Sequence, residues 1–287
     1  MRLRRLLLAV CLLLPAPPAA LALPSGVPQA IPALPADFVL TGQFTQGGWL
    51  RGTAPKGTTA LLLDGKPLAL APDGSFFAAF DRDAGASAEL VAQRTGASDL
   101  RRVLAIAPRQ WQIERVNAPF HPPAMPDADF ARIRKAELAR IGAARALASD
   151  SLGWQQNFAW PLKGALRGRF GSQRIFRGTP AAYHPGLDIA GVQGAPYVAP
   201  ADGVVTLAAE APFTLEGNLL IVDHGMGLTS AFLHSSRLAV KVGDRVRQGQ
   251  LLGWVGKTGR ATGPHLHWAL TWREARLDPL LFVAPVH

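Results

Sequence analysis

The segment Gly263-Pro264-His265-Leu266-His267-Trp268-Ala269-Leu270 joins a turn signal to a run that reads as a β-strand. In an extended strand alternate side chains project from one face, so His265 and His267 point into the same groove, about 7 Å apart along the chain. One imidazole of such a pair can bind a metal while the other faces a substrate. The runs before it have the same character: Val204 to Leu207, Leu219 to Val222, Thr229 to Leu233 and Leu251 to Val255 alternate with Gly-rich turns. An antiparallel β domain is therefore expected from about residue 157 to the end, with no helix after Ser149 beyond a turn near Asp278-Pro279.

Two further groups complete the chemistry. His184-Pro185-Gly186-Leu187-Asp188 places an imidazole and a carboxylate around a glycine that lets the backbone bend both toward one ion, and His234 ends the run that starts near Thr229. Two imidazoles and a carboxylate supply three corners of a tetrahedral zinc site and leave the fourth to solvent, which marks a catalytic site rather than a structural one. A lone H-x-H on a strand is more often a packing feature, and a lone H-x-G-x-D is weaker still. Their joint occurrence with a third histidine favours metal. His224 lies in a Gly-flanked hairpin turn, His121 in a Pro-rich stretch and His287 at the last position; none is given a ligand role.

With these motifs in this order, the chain resembles the lysostaphin/LytM family of zinc peptidases, whose marks are H-x-G-x-D, Tyr-x-His and H-x-H. The likeness runs from about Pro161 to Val283 and takes in Phe170-Gly171-Ser172, Val198-Ala199-Pro200-Ala201-Asp202-Gly203, Val242-Gly243-Asp244 and Gly249-Gln250. It implies a hammerhead-like β-sheet peptidase domain with zinc held by His184, Asp188 and His267. His234 and His265 become the catalytic histidines, and the substrate becomes the peptide stems of bacterial peptidoglycan, cut by endopeptidase chemistry. Two positions depart from the pattern: Phe232 stands where the family has tyrosine, and Ser235 where it has leucine. The alternative is a noncatalytic wall-binding or hydrolase-activating protein of the same fold; such relatives typically lack metal ligands, and here every ligand position is filled.

The remainder of the chain reads as support. Met1 to Ala22 has a basic start, an apolar run from Leu6 to Leu14 and Ala20-Leu21-Ala22, the pattern of a signal peptide cleaved after Ala22, so export to the periplasm or cell envelope is expected. That run is too short to span a bilayer and nothing later reads as a transmembrane helix. The only cysteine, Cys11, falls within it, leaving no thiol chemistry for the mature chain. Residues 23–36 form a flexible lead-in. Short apolar runs between 37 and 115, separated by turns such as Asp64-Gly65 and Pro72-Asp73-Gly74, predict a small immunoglobulin-like β-sandwich. Residues 116–156 hold a Pro-rich linker and a helix capped by Asp127 or Asp129, with Phe130, Ile133, Ile141 and Ala144 on one side and Arg132, Lys135 and Arg140 elsewhere. The sandwich and linker are expected to position the peptidase domain or to cover its groove until a partner arrives.

Thirty Lys and Arg against twenty Asp and Glu give a formal charge of +10, which suits an anionic wall polymer. Nucleic acid is disfavoured as a partner by the export signal and by the lack of any nucleic-acid motif. Trp268 and Trp272 are candidates to line a substrate groove, because indole offers a flat apolar face.

Overall fold

The computed structural model describes residues 34–118, 128–209 and 211–285. The stretch expected to be a signal peptide, Cys11, most of the lead-in, Asp127, His121 and His287 lie outside the described residues. No helix among the described residues is long and apolar enough to cross a membrane.

The fold is mainly β. Its first part is a two-sheet sandwich. Strands β1 (Val39–Gln43), β2 (Trp49–Thr53) and β5 (Ser75–Ala79) form one sheet; β3 (Thr58–Leu63), β4 (Lys66–Leu68), β6 (Ser87–Arg94) and β7 (Leu100–Ala105) form the other. The expected apolar runs supply β1, β3, β5, β6 and β7. β2 went unread because Arg51 and Gly52 interrupt its apolar pattern, yet it is the central strand of its sheet. After β8 (Ile113–Val116) the chain enters a helix, α1 (Ala128–Ala146), with Asp129 in its first turn. Ile141 and Ala144 are buried as expected, but Ile133 is 40% exposed and Glu137 takes a buried place instead. The inward stripe is therefore more polar than the apolar spacing suggested.

The C-terminal part contains short strands β9 (Leu166–Gly168), β10 (Gln173–Phe176), β11 (Thr179–Pro180), β12 (Leu187–Ala190) and β13 (Pro196–Val198). These are followed by β14 (Gly203–Ala208), β15 (Asn218–Asp223), β16 (Leu228–Ser235), β17 (Arg237–Leu238) and β18 (Arg245–Val246). β19 (Leu251–Trp254), β20 (His265–Trp272) and β21 (Ala275–Leu277) complete the set. The main sheet has the order β18-β14-β15-β16-β20-β12-β9, with β21 on β20, and every pairing in it is antiparallel. A 3-10 turn at Pro279–Leu281, capped by Asp278, sits where the turn signal stood.

One apolar core runs through sandwich and main sheet together. Phe77 of β5 stacks on Trp49 and meets Trp154 and Trp272 edge-on, at ring centroid distances of 6.4, 6.5 and 6.2 Å. Polar bonds fix the same contact: Trp49 Nε1 donates to the Leu281 carbonyl at 2.8 Å, and Arg109 pairs with the buried Asp278 at 2.7 Å. Burial of such aromatic area contributes more than the ion pair, since Arg109 keeps part of its hydration.

His224, in the expected hairpin turn, is wholly buried. Its Nδ1 faces the Asp202 carbonyl and its Nε2 the Ser230 hydroxyl, each at 2.7 Å. Burial pushes its pKa down to about 4 from an ordinary 6.5. As pH falls from 6.5 to 4 the unfolded chain takes up a proton that the folded chain refuses, so stability is full above that window and declines through it. Urea unfolding of His224→Gln is expected to show a shallower loss across this range, the wild type losing on the order of 3 kcal/mol more. Parallel curves for the two proteins would refute the role of His224.

Candidate metal centre and its groove

The centre is built on the pairing of β12 with β20. Register sets Asp188 directly opposite His267 and Ala190 opposite His265. His184 arrives from the loop before β12; its main-chain N–H donates to Ser172 and its carbonyl accepts from Gly171, at 2.8 and 2.9 Å. Phe170-Gly171-Ser172 therefore anchors the first ligand. His184 Nε2, Asp188 Oδ1 and His267 Nδ1 then converge: 3.1 Å from His184 to Asp188, 2.8 Å from His267 to Asp188 and 3.2 Å between the imidazoles.

Those separations test whether a metal fits. Bonds of about 2.0–2.1 Å to nitrogen and oxygen put the corners of a zinc tetrahedron roughly 3.3–3.4 Å apart. The three atoms lie a few tenths of an ångström inside that triangle, and all three are within 4.8 Å of one another. The donor set of two imidazoles and one carboxylate is the chemistry zinc takes. His184 Nδ1 faces the Arg169 carbonyl at 3.2 Å, which keeps its proton there and leaves Nε2 with a lone pair for the ion. Burial would raise the pKa of Asp188, but its bonds to the two imidazoles outweigh this and hold it well below the usual carboxylate range. Burial pushes His267 down, toward the neutral form that ligates.

Two more histidines stand beside the three. His265 Nε2 is 3.6 Å from Asp188 Oδ1, while its Nδ1 faces the Gly263 carbonyl at 2.8 Å. His234 Nδ1 faces the Thr258 carbonyl at 2.9 Å, and the His234 and His265 rings are 4.9 Å apart. A carbonyl can only accept, so each ring carries its proton on Nδ1 and presents a basic Nε2. Burial also lowers the pKa of His234, favouring the neutral base. Its backbone is left-handed, φ 65°, held by its N–H to the Glu216 carbonyl at 2.9 Å. The geometry thus brings together all five residues singled out in the sequence.

The tryptophans are different. Because His265, His267, Ala269 and Thr271 share one face of β20, Leu266, Trp268, Leu270 and Trp272 must share the other. Trp268 is fully buried with its indole N–H on Ser230 Oγ, and Trp272 donates to the Met226 carbonyl while packing on Phe77. Neither faces the groove, so the substrate-lining role expected for them is withdrawn. Phe232 also lies on the core side, stacked on Tyr197 at 5.4 Å, and Ser235 bonds the Tyr197 hydroxyl at 2.8 Å. Both departures from the family pattern meet at one buried phenol, away from the metal ligands.

A groove of about 1400 Å³ passes the centre, floored by Leu233, His267, Ala269 and Thr271. One wall is α1, through Arg134, Leu138, Ile141 and Arg145; the other is β8 and β10, which pair in parallel. The spacing 134, 138, 141, 145 is itself a helical stripe, and two arginines in it concealed the face. Glu216 and Thr258 also escape the sequence reading; each holds His234 through its main-chain carbonyl, which no residue type advertises.

Comparison with known proteins agrees with this site. The family model described as Peptidase family M23 matches residues 182–279, which include all five residues. Peptidoglycan DD-endopeptidase ShyA of Vibrio cholerae is 36% identical over 116 residues, 40% of this chain and 26% of that protein. Cell division protein DipM of Caulobacter vibrioides is 38% identical over 128 residues, 45% of this chain and 20% of that one. The chain thus spans about a quarter or less of these relatives. A crystal structure of a putative peptidase M23 from Pseudomonas aeruginosa superimposes with a TM-score of 0.63 at 27% identity, covering 84% of this chain and 95% of its own.

Gly186 offers a test of the packing. A Cβ there would lie 2.9 Å from His267 Nε2 and 2.5 Å from the Trp268 carbonyl, so it must displace the ligand strand. Gly186→Ala is expected to weaken zinc binding by about 10-fold or more, read by competition with a chelating dye. Unchanged affinity would show that this contact does not set the ligand geometry.

Proposed function

From the premise that this chain carries a peptidase family M23 domain at residues 182–279, we propose that it is a zinc-dependent endopeptidase that hydrolyses peptide cross-links of bacterial peptidoglycan. The observation that carries the reading is the trio of converging ligand atoms, a few tenths of an ångström closer than tetrahedral separations, flanked by two imidazoles whose Nδ1 protons are committed to carbonyls. Zinc would supply Lewis acidity that polarises the scissile carbonyl and makes water nucleophilic near neutral pH. His184, Asp188 and His267 hold it. His234 and His265 present Nε2 to accept a proton from the attacking water and return one to the leaving amine. The left-handed backbone of His234 and the Thr258 carbonyl keep that ring in one tautomer and orientation, so little reorganisation accompanies proton transfer.

The names of the relatives, DD-endopeptidases of peptidoglycan among them, support the substrate class, and the basic composition suits an anionic wall. Export to the periplasm or envelope follows from the same substrate and from the leader pattern at residues 1–22.

Metal analysis of purified protein and mass spectrometry of fragments released from purified wall test the proposal. Wild type is expected to hold about one zinc per chain and to release cross-link fragments; His267→Ala is expected to lose both. His265→Ala should keep the metal yet lose about 10²–10⁴-fold in rate, which separates catalysis from ligation. Equal zinc and equal fragments in wild type and His267→Ala would overturn the assignment. A wild type that binds zinc and wall but releases nothing would replace the enzyme with a binding protein.

A further inference from the structure

The groove holds more positive charge than its own carboxylates neutralise. Arg134 forks onto Glu216 through two bonds of 2.7 Å and reaches Glu137 at 3.0 Å, and Arg174 pairs with Glu114 at 2.7 Å. Asp188 is committed to the metal centre. Arg145 and Arg276, which line the same groove, have no carboxylate within ion-pair reach among the described residues. Arg145 Nε is buried with no hydrogen-bond acceptor among the described residues. Arg276 is engaged by Asp81 through its main-chain N–H, at 2.9 Å, while its guanidinium donates to the Tyr183 hydroxyl and lies 5.3 Å from that ring's centroid, with donors to spare.

The two arginines reach one place from different elements. Arg145 comes from the last turn of α1; Arg276 stands on β21 directly opposite Thr271 of β20, and so shares its face. That face is the one carrying His267 and Ala269. At about 3.3 Å per residue, Thr271 lies roughly 13 Å from His267 along the floor, the reach of about four residues of extended peptide. Between them stands Ala269, whose methyl group leaves the floor low enough for a chain to lie along it. Burial first, and then the charge of Arg276, make Arg145 harder to keep protonated than an ordinary arginine, and the nearby carboxylate of Glu216 offsets this only in part. The like charges of half-buried Arg145 and exposed Arg276 repel at a cost that an incoming anion removes, and a guanidinium fork matches a carboxylate bidentately.

We propose that Arg145 and Arg276 form a carboxylate-binding subsite, which takes a carboxylate of the peptide substrate about four residues from the bond that is cut. The subsite rests on the endopeptidase reading for its substrate, and it makes selection for charge a property of this groove rather than of the metal centre.

The test compares two soluble cross-linked wall-peptide dimers, one with its free carboxylates and one with all of them converted to carboxamides. Full-length wild type is expected to favour the carboxylate form by about 10-fold or more in kcat/KM. Arg145→Gln and Arg276→Gln should each bring that preference toward unity through KM, with kcat within about twofold. Calorimetry on His265→Ala, which is silenced for cleavage, should give the same preference as a ratio of Kd values, so the subsite is read even where turnover is absent. Absent turnover in wild type with that Kd ratio intact would remove the endopeptidase reading and leave the subsite standing. Equal Kd values for the two dimers would overturn the subsite whatever the turnover, and this arm needs neither arginine variant to fold. A preference that survives both glutamine substitutions would overturn it too.

Discussion

Asp188 faces His267 across a single antiparallel pair, and the molecule's chemistry is arranged around that contact. A carboxylate and an imidazole in opposite strands are held within about 5 Å by backbone hydrogen bonds alone, so the sheet itself places two of the three candidate ligands. Only His184 must be brought in from a loop, and the turn at Gly171 does this by bonding both its main-chain groups. A site so largely built on sheet backbone loses little conformational entropy on binding its ion.

The two histidines beside the trio, His234 and His265, follow a second rule: each ring is steered by a carbonyl rather than by another titratable side chain. Thr258 and Gly263 fix which nitrogen bears the proton without adding charge near the metal. Thr258 is itself locked, since its hydroxyl accepts from Asn218 N–H and donates to the Ser235 carbonyl, both at 2.9 Å. The loops before β15 and after β19 are thereby interlocked around His234.

Most of the site was legible in the sequence because its logic is local spacing. H-x-H on a strand and H-x-G-x-D across a glycine name four of the five residues before any tertiary contact is considered. The same parity that pairs His265 with His267 also sends Trp268 and Trp272 to the opposite face, so their burial could have been read from position alone. What was not legible depends on pairing between distant segments: the parallel contact of β8 with β10, the carbonyls behind the histidines, and the inward face of α1. In that helix charged residues stand where apolar ones mark a core. Arg134 is half-buried and Glu137 buried there because Glu216 and Thr214, some eighty residues away, bond to them.

The aromatic seam of Trp49, Phe77, Trp154, Trp272 and Phe282 joins sandwich and main sheet through one packed core. Separating them would open indole and phenyl surface to water from both sides at once, so partial opening has no cheap intermediate. The sandwich thus acts as ballast behind β20, packed on Trp272 at the far end of the strand that carries both histidines of the H-x-H.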